Sequence, residues 1–214
     1  MTAHRMYLFK GFERFWHWAQ AALIIALLVT GFQIHGYLHW FDFSTAVQVH
    51  GYLAWALVTL WIFAIFWHFT TGEWKQYTPT FDKIDKMILY YIWGIFFKQR
   101  YPHHQWIRHK HNPLQRLAYL WLKLMVHPLV WVSGALLLLY SYDWLPHMPL
   151  GLAVNEVAWA HTAAAYMLLF FLIAHLYLIT TGKTPLTYTK AMITGWEVAR
   201  DEVEPESVAS KTGA

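Results

Sequence analysis

The sequence predicts an all-α integral membrane protein: a four-helix bundle with N- and C-termini cytoplasmic, plus a short interfacial helix in the cytoplasmic loop. Three observations predict it. Four long runs, 15–41, 43–72, 124–142 and 157–182, contain no Asp, Glu, Lys or Arg. The Lys and Arg residues fall almost entirely between and outside alternate runs. Histidines recur within the runs at matching depths. A hydrocarbon core about 30 Å thick takes roughly 20 helical residues. Inside it every backbone N–H and C=O must be satisfied internally, so each run is expected to be helical.

The first run follows Arg5, Lys10 and Arg14. A basic then apolar N-terminus resembles a secretion signal, but this run is too long and lacks a small-x-small cleavage site, which indicates a retained anchor. The spans are expected at about 15–38, 46–71, 115–142 and 154–181, in one domain covering 1–199. The segments at 36–46 and 143–156 carry no Lys or Arg, only Asp42, Asp143 and Glu156. By contrast Lys75, Lys83, Lys86, Lys98, Arg100, Arg108, Lys110 and Arg116 lie between spans two and three, and Lys183, Lys190, Arg200 and Lys211 follow span four. Positive charge marks the cytoplasmic side. In a bacterium this is a multi-pass protein of the inner (cytoplasmic) membrane. Lys123 is the exception within a span, and can snorkel back along its stem. Trp16, Trp18, Trp40, Trp74, Trp144 and Trp159 cluster near span ends, as interfacial aromatics do.

The formal charge of +4 does not point to nucleic acid, because it follows the loops rather than forming one face. The absence of cysteine excludes thiolate-held iron–sulfur clusters, covalent C-x-x-C-H haem attachment and disulfides. Residues 87–97 (MILYYIWGIFF) are apolar but too short to span; flanked by Lys83, Lys86 and Lys98, they read as a helix lying on the cytoplasmic face. The polar tail 200–214 is expected to be disordered.

Ionisable residues inside a span are costly and point to function. Taking the depths from the topology, His17 lies near the cytoplasmic end of span one. His50 and His68 lie near the outer and cytoplasmic ends of span two, and His161 and His175 near those of span four. Positions 161 and 175 return to within about 40° of one helix face, about 21 Å apart along it. Two imidazoles placed this way can each ligate a separate haem, and Ala160, Thr162, Ala163, Ala164 and Ala165 would let a flat macrocycle approach. Bis-histidine iron is low-spin with no open position, which suits electron transfer. His50, with Gly51 beside it, is the natural partner of His161. Opposite His175 stand two candidates, His17 and His68, and spacing does not choose between them. A single membrane histidine is more often a packing or proton-relay residue than a ligand; five at two matched depths shift the balance to ligation. His127, mid-depth and before Pro128, reads as structural. His103, His104, His109 and His111 read as solvated loop residues rather than a metal cluster. His35, His39 and His147 read as outer-surface residues.

The chain resembles the membrane cytochrome b subunits of respiratory formate dehydrogenases, nickel–iron hydrogenases and thiosulfate reductase-like complexes. The resemblance rests on E-R-F-W-H-W at 13–18, His50 opening span two, H-T-A-A-A-Y at 161–166 with A-H-L-Y at 174–177, and K-H-N-P-L-Q-R at 110–116. It implies two haems b, with His17 and His175 ligating the cytoplasmic-side haem and His50 and His161 the outer-side haem; His68 is then the alternative ligand. It also implies a menaquinone or ubiquinone near the cytoplasmic haem, at Asn112 with Lys110 and Gln115, although Pro113 departs from the family's pattern. His68, extra to the minimal ligand set, could serve quinone protonation or a haem propionate. Taken alone, Asn112 reads as a helix cap. The partners implied are a periplasmic redox enzyme or electron-transfer subunit (iron–sulfur or multihaem), the quinone and membrane lipid. The expected role is a non-catalytic electron-transfer subunit. The alternatives are a non-redox membrane anchor and a histidine-relay transporter or channel.

Overall fold

A computed structural model describes residues 5–81, 84–97, 110–141, 151, 153–182 and 184–198. The elements run β1 (Arg5–Tyr7), α1 (Gly11–Ile34), α2 (Phe43–Thr71), a 3-10 turn (Glu73–Tyr77), α3 (Ile84–Leu89) continued by a π-turn (Tyr90–Gly94), α4 (Pro113–Trp121), a second π-turn (Leu122–Val126), α5 (His127–Ser141), α6 (Val154–Leu178), α7 (Thr187–Thr194) and β2 (Trp196–Val198). Four helices, α1, α2, Pro113–Ser141 and α6, are long and apolar enough to cross a membrane, so the chain is a multi-pass α-helical membrane protein.

The distribution of side chains is that of a bundle solvated by lipid. Outward-facing Phe66, Phe69 and Phe170 are exposed, whereas Glu13, Thr30, Gln33, His68, Asn112, Arg116 and Ser133 are buried. In a membrane the costly groups are the polar ones, and they turn inward. Helices α1 and α2 pack closely on one another, as do α5 and α6; among the described residues, the two hairpins approach each other less closely. That wider interval is where the paired histidines lie.

The helix ends follow their local chemistry. Helix α1 starts at Gly11, four residues before the charge-free run, because Glu13 reaches back to accept from the Lys10 amide at 2.7 Å. Asp42 caps α2, accepting from the Thr45 amide at 2.9 Å, and Gly72 ends it with φ 74°. Pro113 at the first turn of α4 lacks only an amide that would be unpaired there. The π-turn at Leu122–Val126 immediately precedes His127–Pro128. It is the kind of local widening that lets a helix continue past a proline, which would otherwise press on the carbonyl four residues earlier.

Three expectations change here. Helical periodicity revealed no strand, yet β1 and β2 pair antiparallel, Met6 opposite Glu197, tying the two ends of the described chain together on one side. Gly195, at φ 86°, makes the junction: a Cβ there would lie 2.6 Å from Tyr7 Cε2 and 2.8 Å from the Phe9 carbonyl. The loop helix begins at Ile84, not at 87, and passes into a π-turn. Its Met87 is fully buried and the element packs against α4, so one of its faces is covered by protein. Finally, His111 is drawn inward rather than solvated. His103, His104, His109, His147, Trp144 and the tail 200–214 lie outside the described residues.

Candidate functional site: two histidine pairs and an inner polar cluster

His50 and His161 are each the eighth residue of their helix, α2 and α6, and so stand at equal depth. Their ring centroids are 6.2 Å apart with planes at 74°. Both rings are oriented by hydroxyls on neighbouring helices. Thr30 Oγ1 lies 2.8 Å from His50 Nδ1 and donates its own hydrogen to the Ala26 carbonyl at 2.9 Å. Ser133 Oγ lies 3.1 Å from His161 Nδ1 and donates to the Leu129 carbonyl at 2.5 Å; the Val130 carbonyl also lies 3.1 Å from that nitrogen. Each hydroxyl has spent its proton, so each accepts from an Nδ1–H. The network therefore assigns both rings the tautomer with a bare Nε2 lone pair, the form that binds a metal. Gly134 clears the space: a Cβ there would approach His161 Cε1 to 3.1 Å.

His17 and His175 repeat the arrangement at the other depth, with centroids 6.2 Å apart and planes at 53°. Phe171, one turn before His175, stacks on it at 5.9 Å, and Trp18 sets its edge against His17 at 5.2 Å. The residues flanking His17 are held by the chain's other end. Arg14 Nη1 donates to the Ile193 carbonyl at 2.6 Å and Trp18 Nε1 to the Met192 carbonyl at 3.3 Å, both at the close of α7. The Nδ1 of His17 is buried without a hydrogen-bond partner among the described residues.

His68 is placed differently. Its Nδ1 donates to the Ala64 carbonyl at 2.6 Å, and its ring meets Trp16 and Tyr77 at 5.3 and 5.6 Å. His17 therefore faces His175 and His68 does not. His127 sits between the two levels, its ring 4.1 Å from that of Trp61. Trp61 in turn stacks on Trp131 at 4.6 Å and donates to Gln20 at 2.7 Å. Of the outer histidines, His35 lies 3.3 Å from Thr162 Oγ1, beside His161, and both His35 and His39 are exposed.

The pairs fit a haem. Two imidazole nitrogens each about 2 Å from a shared metal place their ring centroids roughly 6 Å apart. That is the separation at both depths, so each pair of rings could hold a haem iron between them. The wider interval between the hairpins agrees.

The inner polar cluster contains Lys110, Asn112 and Gln115. Asn112, fully buried, accepts from the Gln115 amide at 2.8 Å while Gln115 Oε1 accepts from the Asn112 amide at 3.0 Å, a reciprocal cap. Its Nδ2 donates to the Tyr91 hydroxyl at 3.1 Å. Lys110 Nζ joins Glu13 at 2.8 Å and Glu73 at 2.9 Å, and Lys10 closes the group on Glu73 at 2.6 Å. Burial opposes the charge on Glu73, but hydrogen bonds and attraction from Lys10 and Lys110 outweigh it and hold the carboxyl below its usual range. Lys123 does reach back towards the inner end, where its Nζ lies 3.7 Å from the Tyr77 ring centroid.

His111 completes this cluster. Burial, reinforced by the nearby Lys110, Arg116 and Lys123 charges, lowers its pKa to about 3. Its ring lies 5.1 Å from Tyr77 and 5.0 Å from Tyr119. Tyr119 meets Phe171 at 6.3 Å, so an aromatic series leads from His111 to His175. Thr30, Ser133, Gly134, Tyr77 and His111 went unread in the sequence as site residues. The first three had a signal: Thr30-Gly31 and Ser133-Gly134 are hydroxyl–glycine pairs at the depth of the outer histidines.

A four-span α-helical bundle with facing imidazoles at two depths defines a membrane cytochrome of the b type. The chain belongs to the prokaryotic cytochrome b561 family, which it matches over residues 8–195. It is also similar to the Escherichia coli (strain K12) protein named "Putative cytochrome YdhU", with 29% identity over 200 residues covering 90% of this chain and 74% of that protein. No solved structure matches the chain. Membership makes the chain an electron-transfer cytochrome that binds b-type haem.

Proposed function

We propose that this chain holds two haems b, one between His50 and His161 and one between His17 and His175, and carries electrons between a quinone and a redox partner subunit. The observation that carries this reading is the repetition of one imidazole separation, 6.2 Å, at two depths of the bundle. When bound, a six-coordinate low-spin haem exchanges single electrons and leaves oxygen no open position.

The residues divide the work. Thr30 and Ser133 hold the tautomer of the outer ligands, while α7 fixes α1 on both sides of His17. The outer pair lies about two turns from the starts of α2 and α6, which puts it within reach of a partner at that face. We place that face in the periplasm of a bacterial inner membrane, because the basic residues lie with the termini and the long loop on the opposite side. The partner is then a periplasmic iron–sulfur or multihaem subunit. The quinone exchanges at the inner cluster around Asn112, Lys110 and Gln115, where Tyr119 and Phe171 connect it to His175.

A reduced-minus-oxidised spectrum with pyridine haemochrome quantitation of the purified chain tests the reading. Two haems b per chain are expected; one or none sinks it. Capture of a redox subunit from mild-detergent extracts, and reduction or oxidation of the bound haem by a short-chain quinol or quinone, test the two remaining clauses.

A further inference from the structure

We infer that the inner cluster recognises the reduced, hydroxyl-bearing form of the quinone, through two proton-accepting imidazole nitrogens, His68 Nε2 and His111 Nδ1, that both border Tyr77. This rests on the reading that a quinone exchanges at this end of the bundle, and adds which redox form the site selects and which groups select it.

The tautomers carry the argument. His68 donates its Nδ1–H to the Ala64 carbonyl at 2.6 Å. His111 is turned towards the backbone of Gln76. In each ring the other nitrogen, His68 Nε2 and His111 Nδ1, is shut off from solvent and has no hydrogen-bond partner among the described residues. A neutral imidazole whose N–H is already engaged has only a lone pair left to offer. A buried acceptor left without a donor is costly, so the complement of these two nitrogens is a pair of donors. A quinone has two carbonyl acceptors and meets them badly; a quinol has two O–H donors and meets them well.

The surroundings keep both rings in that state. His111 faces Lys110, Arg116 and Lys123, whose charges oppose a further proton on it. His68 faces Lys123 from the third span, and Glu13 and Glu73 from α1 and the 3-10 turn. The two acids are themselves engaged by Lys110 and Lys10. The same tautomer argues against a haem propionate at His68, because a carboxylate needs a donor and the N–H of His68 is spent on Ala64. Tyr77, Tyr119 and Phe171 provide flat apolar faces for an aromatic ring.

A redox-inert pair of probes isolates the hydrogen bond: 1-naphthol and its methyl ether, titrated into detergent-solubilised holoprotein by calorimetry. The naphthol is expected to bind at least about tenfold more tightly than the ether, a hydrogen-bond-sized difference. His68→Ala and His111→Ala, with the haem spectrum unchanged, are each expected to shrink that preference severalfold. Equal affinity of the wild-type chain for both probes overturns the inference without recourse to any variant. So does a preference that survives both substitutions. If equal affinity, or no binding, is accompanied by haem that still responds to a short-chain quinol, the inference alone fails. If the haem does not respond either, the quinone reading fails with it.

Discussion

The ring of His17 stands 6.2 Å from that of His175, while His68 turns its ring instead to Trp16 and Tyr77. The two histidines at the inner end therefore have different neighbours and different consequences when removed. His17→Ala is expected to lower the haem content of the purified chain from two to one, and His68→Ala to leave it at two. His50→Ala and His161→Ala should each remove the other haem. Pyridine haemochrome assays per mole of protein read all four, and loss of a haem in His68→Ala would reverse the assignment.

The hydroxyl groups behind His50 and His161 should affect haem retention without ligating iron themselves. Thr30→Val removes the hydroxyl that accepts from His50 Nδ1–H, and losses of this kind weaken metal binding by about 10- to 100-fold. Ser133→Ala should cost less, because the Val130 carbonyl still accepts from His161 Nδ1–H. Haem should still be present in the purified variants but be lost faster to apomyoglobin. Gly134→Val is more severe, because the new side chain enters within 3.1 Å of His161 Cε1. It should empty the outer pair while the inner haem's spectrum persists.

Lys110 binds Glu13 and Glu73 in one largely buried group. Lys110→Met takes the cation from Glu13 and leaves Glu73 with Lys10 alone. Removing one partner of a fully buried pair costs about 3–5 kcal/mol, and partial solvation here lowers the expectation to roughly 2 kcal/mol. Thermal unfolding in detergent measures it. The pH dependence follows from Glu73, whose folded carboxyl lies below the ordinary value of 4.5. A depressed carboxyl stabilises fully above that value, and the contribution is lost as pH falls through the lower folded one. The wild-type chain should therefore lose stability progressively below about pH 4.5, and Lys110→Met should lose less over that interval.

Asn112 acts through two atoms that can be separated. Asn112→Ala removes the cap from α4 and should cost about 1 kcal/mol. Asn112→Asp keeps the oxygen that accepts from the Gln115 amide but loses the Nδ2 that donates to Tyr91. It should restore stability. If the quinone response of the haem is restored with it, Asn112 serves only as a cap; if the response stays lost, the amide takes part in the quinone site.

The sequence by itself determined the elements and the depths. A charge-free run long enough to cross hydrocarbon has to be helical, and positions 14 or 18 residues apart on such a helix have a set height and face. With the topology read from the Lys and Arg distribution, that arithmetic gives two levels, His50 with His161 at one and His175 with either His17 or His68 at the other. What it could not determine is which face of one helix turns to which face of another, because that is set by packing between segments distant in the chain. Only the tertiary structure turned His17, and not His68, towards His175. Only there does Thr30 meet His50, and Ser133 meet His161, since each contact joins separate helices. His111 shows the limit most clearly. In the sequence it sits among basic loop residues and reads as solvated; in the fold, Gln76, Tyr77 and Tyr119 enclose it, two of them contributed by a turn more than thirty residues earlier. Burial is a property of what surrounds a residue, and the residues around His111 are not its neighbours in sequence.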